Sequence, residues 1–235
     1  MSKVIDDIKS TELKDKPLNM AHKKALNMTN NTLLKRTLGL ATIVSASLFT
    51  HATLAAPQTL IVAGGCFWCV ESDFEAVDGV TSAVSGYIGG HVKNPTYRQV
   101  AAKGTGHFEA VEITFDDEIV SLKTLADYFW KTIDPTDAYG QFCDKGAPYK
   151  TAMFYQNEEQ KAVFDASLKN VEETKPFTDA IVTEILPASE FYIAEEYHQS
   201  YYTKNPARYG FYRLSCGRDS RIESLWGEVA SKDHH

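Results

Sequence analysis

The stretch Gln58-Thr59-Leu60-Ile61-Val62-Ala63-Gly64-Gly65-Cys66-Phe67-Trp68-Cys69-Val70-Glu71-Ser72-Asp73-Phe74-Glu75-Ala76-Val77 changes its hydrophobic period halfway along. Residues 58–63 form a short apolar run that ends in two glycines, the pattern of a buried strand entering a tight turn. Beyond the glycines, Phe67, Val70, Phe74 and Val77 are spaced by three and four. That spacing puts them on one face of a helix over 66–77. The domain thus opens with a strand, a turn and a helix.

Downstream, 80–87 reads as a strand and 88–96 as a Gly-, Asn- and Pro-rich loop. Residues 109–115 alternate strictly, as a half-buried strand does. Residues 121–131 form a helix with Leu122, Leu125, Ala126 and Phe129 on one face. The Asp- and Gly-rich segment 134–149 is a loop of the length that usually carries function. A strand over 151–155 precedes a helix opened by Asn157, with Gln160 three residues on as a variant of the capping box. A strand over 178–185 and a short helix over 194–202 complete the pattern. Strands alternate with helices, so an α/β or α+β layered domain is expected.

Upstream the character changes. An uncharged, mostly apolar run over 38–49 follows Lys35-Arg36 and precedes the small residues Ala52-Thr53-Leu54-Ala55-Ala56. This is the layout of a secretory signal peptide cut after Ala55, and the run is too short for a membrane span. The expected organisation is an extension with its signal over 1–55 and one domain over 56–230, exported to the periplasm without stable membrane insertion. The whole chain has 235 residues with 24 Lys plus Arg against 31 Asp plus Glu, a size typical of one domain. Residues 56–235 carry a net charge of −11. An acidic balance argues against nucleic-acid binding, which needs clustered cations.

All four cysteines, Cys66, Cys69, Cys143 and Cys216, lie in the domain. A cysteine in a helix's first turn faces unpaired N–H groups and the positive end of the dipole, which favour the nucleophilic thiolate. Cys69 lies near the same face. Two structural disulfides are the plain alternative in an exported protein. Glu109 shares a strand face with Val111, Ile113 and Phe115, where desolvation would raise its pKa and suit a general acid. The strand pattern by itself favours a solvated Glu109 at the strand end. His198 reads as a hydrogen-bonded structural residue, and no Cys or His set has zinc spacing, so no metal is expected.

The motifs Gly65-Cys66-Phe67-Trp68, Gly86-Tyr87-x-Gly89-Gly90, Asn94-Pro95-Thr96-Tyr97, Thr105-Gly106-His107-x-Glu109 and Glu195-Glu196-Tyr197-His198-Gln199 resemble those of the A-type peptide methionine sulfoxide reductases. The resemblance runs from about Leu60 to Pro206. It implies an α+β fold: a two-layer α/β sandwich with a mixed sheet, a ferredoxin-like core with extensions, and a long irregular C-terminal tail. It also implies reduction of the S-epimer of methionine sulfoxide, free or in proteins, by a monomer without bound cofactor. An external thioredoxin-like reductant or dithiothreitol would supply the electrons. By the same resemblance Cys66 is the nucleophile, Phe67 and Trp68 wall the methyl pocket, Tyr97 and Tyr149 bind the sulfoxide oxygen, Glu109 is the acid, and Asp144 belongs to the pocket. This reverses the solvated reading of Glu109.

The family's resolving cysteine usually sits in the tail, which makes Cys216 the nearest match. It is expected on a mobile segment anchored by Phe211, Tyr212 and Trp226, and free to form a Cys66–Cys216 disulfide. Cys143 and Cys69 remain alternatives. The competing activity is a thioredoxin-type disulfide oxidoreductase using Cys66-Phe67-Trp68-Cys69, and a non-enzymatic alternative is a disulfide-stapled binding module.

Overall fold

The computed structural model describes residues 58–227, so the expected leader over 1–55 and its cleavage point lie outside them. The opening stretch folds as strand, turn and helix: β1 (Gln58–Gly64) turns at Gly65 into α1 (Phe67–Glu75). Gly65 has φ +84°, and a Cβ there would stand 2.6 Å from Cβ of Gln141. Glycine alone meets both demands. Next come β2 (Val80–Ile88), α2 (Tyr97–Ala101), β3 (Phe108–Phe115) and α3 (Leu122–Lys131). The expected loop over 134–149 holds a hairpin of β4 (Gly140–Gln141) and β5 (Asp144–Lys145), then a 3-10 turn, Ala147–Tyr149. After it come β6 (Thr151–Tyr155) and α4 (Glu158–Thr174). The chain continues through β7 (Glu184–Pro187), β8 (Tyr192–Ile193), α5 (Tyr201–Lys204), α6 (Pro206–Ser215) and α7 (Arg218–Trp226).

Six strands form one sheet in the order β7-β6-β1-β3-β2-β8. Every neighbouring pair is antiparallel except β6 and β7, which run parallel. The mixed sheet therefore has a β-α-β-β-α-β ferredoxin-like centre, made of β1, α1, β2, β3, α3 and β6, with β7 and β8 added at its edges. Leu60, Val62, Val111, Ile113 and Met153 point to one side and pack under Phe74, Phe129, Phe164 and Ile222 of the helices. Ile61, Ala63, Ala110 and Phe154 point to the other, where Leu186 of β7 joins them and Ala188 and Phe191 pack against them. With both faces covered, β1 reads as a continuous apolar run instead of an alternating one.

Four expectations need correction. The strand over 178–185 starts only at Glu184; Val182 N–H instead donates to the carbonyl of Pro135, which draws that segment onto the 134–149 loop. The helix over 194–202 is a series of turns up to Ser200. There the Gln199 amide bonds both backbone groups of Ser85, replacing a strand neighbour beside β2. A helix, α2, stands where none was expected; the Gln99 side chain accepts from Thr96 N–H at 2.8 Å and starts it. The long irregular tail is helical through Trp226: Pro206 opens α6, and Gly217, at φ 68°, turns the chain into α7. Trp226 does anchor it, but Phe211 is 74% exposed and anchors nothing.

Candidate active site

Cys66 is the N-cap of α1, one residue ahead of its first turn, and is 8% exposed. Its carbonyl accepts from the N–H groups of Cys69 and Val70 and so begins the helix. The next N–H, that of Phe67, donates to Glu109 Oε2 at 3.2 Å and not to the sulfur. The thiolate stabilisation expected from the helix end is therefore diverted to a carboxyl group. Burial wins: it pushes the Cys66 thiol well above its ordinary value, and nearby Cys69 and Glu109 add to the shift.

Glu109 lies on β3, buried, facing Tyr87 of β2 across the ladder. Burial pushes its carboxyl up to about 8, against the pull of the Phe67 N–H. At neutral pH it holds its proton, as a general acid must. The solvated strand-end reading is excluded. Tyr97, the first residue of α2, and Tyr149, the last of the 3-10 turn, line the same pocket as Glu109. Burial pushes Tyr97 up to about 12 and raises Tyr149 as well, so both stay hydroxyl donors.

These groups surround a pocket of about 60 Å³ lined by Cys66, Phe67, Trp68, Tyr97, Glu109, Asp144, Tyr149 and Tyr212. All seven pocket residues expected from the sequence meet here. Tyr212 was not foreseen as a site residue. It comes from α6, donates to Asp144 and meets Trp68 edge-on at 5.9 Å. No local pattern marks it; only the folding back of the C-terminal helices brings it to the pocket.

A second layer holds the walls. Trp68 stacks on Tyr201 with ring centroids 3.7 Å apart, and its Nε1–H donates to Nδ1 of His198 at 3.1 Å. His198 is thus hydrogen-bonded and buried, as expected, and burial lowers its pKa, which keeps the acceptor nitrogen free of a proton. Glu195 accepts from Tyr97 N–H and from the Tyr87 hydroxyl, each at 2.9 Å, and so fixes the start of α2. Gln141 bonds Asp134 at both backbone groups and sets the hairpin that carries Asp144 against Gly65.

The cysteines depart most from expectation. Cys143 and Cys216 form a disulfide, while Cys66 and Cys69 are free and buried. Cys216 is therefore tied to the hairpin at the C-cap of α6 and is not a free thiol on a mobile segment. Cys143 is the exposed half of the pair and Cys216 the half-buried one. Among the described residues, Cys143, Asp144 and Cys216 are the group whose ligand atoms lie close enough to share a metal, within 4.8 Å, but both sulfurs are engaged with each other.

Residues 58–230 match the family model described as peptide methionine sulfoxide reductase. The peptide methionine sulfoxide reductases MsrA of Bacillus velezensis and Bacillus subtilis are each 50% identical, over 164 and 165 residues, covering 70% of this chain and 93% of theirs. Among solved structures, reduced Mxr1 from Saccharomyces cerevisiae superimposes with TM-score 0.62 at 27% identity, covering 66% of this chain and 88% of that one. Methionine sulfoxide reductase A of Corynebacterium diphtheriae gives TM-score 0.58 at 30% identity, covering 66% and 77%.

Proposed function

This chain belongs to the peptide methionine sulfoxide reductase family and is an A-type enzyme, and from that premise we propose how its residues share the work. The reaction is thiol-dependent reduction of methionine S-sulfoxide to methionine, one epimer per enzyme type. What carries the assignment is the convergence of one nucleophilic sulfur, one protonated carboxyl group and two tyrosine hydroxyls on the pocket of about 60 Å³. The substrate methyl group rests on Phe67 and Trp68, and its oxygen accepts from Tyr97 and Tyr149. Cys66 sulfur attacks the sulfoxide sulfur while Glu109 protonates the oxygen. Methionine leaves and Cys66 becomes a sulfenic acid.

Cys216 then condenses with that sulfenic acid, expelling water and forming Cys66–Cys216. Cys143 attacks Cys216 in turn, which returns Cys66 to the thiol and leaves Cys143–Cys216, the pair that the folded protein holds. The exposed Cys143 sulfur is the one a thioredoxin-like dithiol would attack, reducing the pair by exchange. The enzyme acts as an exported monomer on free and protein-bound sulfoxide. The thioredoxin-type alternative is disfavoured by burial: Cys66 and Cys69 are 8% and 2% exposed, whereas an oxidoreductase must present its attacking thiol to another protein's disulfide.

The test is one turnover of fully reduced enzyme on methionine sulfoxide without reductant, followed by non-reducing peptide mapping. Cys143–Cys216 should dominate, Cys143→Ser should trap Cys66–Cys216, and Cys66→Ser should reduce nothing. A dominant Cys66–Cys69 peptide sinks the relay, and a Cys66→Ser enzyme that still reduces sulfoxide sinks the nucleophile.

A further inference from the structure

Cys143 and Cys216 meet from distant parts of the chain. Cys143 is exposed in the turn of the β4–β5 hairpin, and Cys216 is the half-buried C-cap of α6. Their Cα atoms stand 4.9 Å apart. Asp144, the next residue on β5, adds a carboxylate: one of its oxygens and the two sulfurs all lie within 4.8 Å of one another. In the oxidised protein the sulfurs are bonded to each other. Reducing the pair frees two thiols beside that carboxylate. Ligands held about 2.0–2.3 Å from a tetrahedral zinc ion are spaced at roughly 3.5–3.8 Å. The three donors therefore stand within the span of one ion once the sulfurs part. Their frame is built in. Buried Gln141 bonds both backbone groups of Asp134 and sets the hairpin. The Tyr212 hydroxyl donates to the Asp144 carboxylate, the kind of outer contact that orients a metal ligand. Two thiolates and a carboxylate carry one negative charge more than a divalent ion balances. The Arg218 guanidinium, 4.8 Å over the ring of Phe142 in the same turn, is placed to offset it.

We propose that the reduced protein holds a zinc ion at Cys143, Cys216 and Asp144, a metal site that exists only while this disulfide is open. Thiolate donors select zinc over magnesium and calcium, which take oxygen ligands. The steps balance simply. A dithiol reductant passes two electrons and two protons to Cys143–Cys216 and is itself oxidised to a disulfide. The ion then displaces both thiol protons to solvent, and nothing further is oxidised or reduced. Three protein ligands leave the fourth tetrahedral position to water, so a competing chelator can reach the ion and remove it. The consequence for turnover rests on the functional reading above, whereas the site itself does not. With both relay thiols on the metal, Cys66 can reduce one sulfoxide, but its sulfenic acid has no Cys216 thiol to condense with. Zinc thereby stores the reduced enzyme in a form stopped after its first turnover.

The test uses cobalt(II) alone as the spectroscopic probe, followed by displacement with zinc(II). Native protein, reduced and then freed of reductant under nitrogen, is titrated beside the same protein with its disulfide intact. The reduced form should develop the thiolate-to-cobalt charge-transfer band, saturate at one ion per chain and lose the band to zinc. The disulfide form should show none, a comparison that needs no substitution. Cys143→Ser and Cys216→Ser should each abolish the band at one equivalent. Asp144→Asn should weaken the affinity by about tenfold or more, at least the loss that an outer contact brings. Cys66→Ser and Cys69→Ser should bind as the native protein does. No band in reduced native protein overturns the proposal. So does a band that disappears in Cys66→Ser or Cys69→Ser while surviving in Cys143→Ser, since the metal would then sit on the other cysteine pair. An Asp144→Asn affinity equal to native overturns the three-ligand site. Zinc should also stop continuous turnover while sparing the first reduction of sulfoxide. A protein that binds cobalt as expected but reduces no sulfoxide overturns the functional reading and leaves the metal site standing.

Discussion

At the scale of single residues, burial and one hydrogen bond meet at the catalytic candidates Cys66 and Glu109. The Phe67 N–H, which could have served the Cys66 thiolate, serves Glu109, while burial raises both groups above their ordinary values. Glu109→Gln keeps the shape and the accepted hydrogen bond but has no proton to give. Single-turnover reduction should slow by about 10²–10⁴-fold, the range for a general acid, with substrate affinity changing far less. The same variant should alter stability with a definite sign. Burial raises the Glu109 carboxyl from 4.5 to about 8. Between those values the native state binds more protons than the unfolded chain, so stability falls as pH rises across that window. Glu109→Gln removes the loss, and its Tm advantage over the native enzyme should widen from pH 5 to 9. Parallel Tm curves would show that the carboxyl group titrates normally.

At the scale of elements, α7 supports the catalytic turn from behind. Arg218, its first residue, is buried and donates to the carbonyls of Gly64 at 3.2 Å and Thr132 at 2.8 Å. It also faces Asp73 of α1 at 3.4 Å and lies over the Phe142 ring at 4.8 Å. One guanidinium therefore ties β1, α1, α3's end and the β4–β5 hairpin together. Arg218→Met preserves much of the volume, strands the two carbonyls and leaves Asp73 with Arg213 in place of two guanidinium groups. Breaking a buried ion pair in this way typically costs about 3–5 kcal/mol. Urea unfolding should show a lower midpoint with an unchanged slope. A loss below about 1 kcal/mol would mean that Arg213, which pairs with Asp73 at 2.6 Å, carries the load by itself.

At the scale of the whole molecule, the Cys143–Cys216 link closes a loop across a sequence separation of 73 residues, joining the hairpin to the C-terminal helices. Chain entropy assigns such a loop about 4 kcal/mol. Reduction with dithiothreitol should therefore lower Tm, and Cys216→Ser should show the lower Tm without reductant. If both leave Tm unchanged, the link is a redox device with no structural share. The redox state of the pair would then bear on turnover alone.

The architecture was legible where a local period repeats: β1, α1, β3, α3, β6 and α4 each carry their own apolar spacing, because a strand or helix buries one face over several residues. So was most of the pocket, since Cys66, Phe67, Trp68, Tyr97 and Glu109 lie in short motifs beside glycine turns and strand ends. What the local pattern misjudged was set by contacts between distant segments. Helix α6 owes its place to Tyr209, Tyr212 and Cys216 meeting groups far away in sequence, at α1 and on the hairpin. Whether Glu109 was solvated or buried depended on α1 arriving over the end of β3, and the Cys66 thiol is held above its ordinary value chiefly by its burial. The sequence by its motifs singled out most of the residues that meet in the pocket and the elements on which they sit. The burial of Cys66 and Glu109, the pairing of Cys143 with Cys216 and the entry of Tyr212 came from the fold, because contacts between distant segments set them and leave no local period.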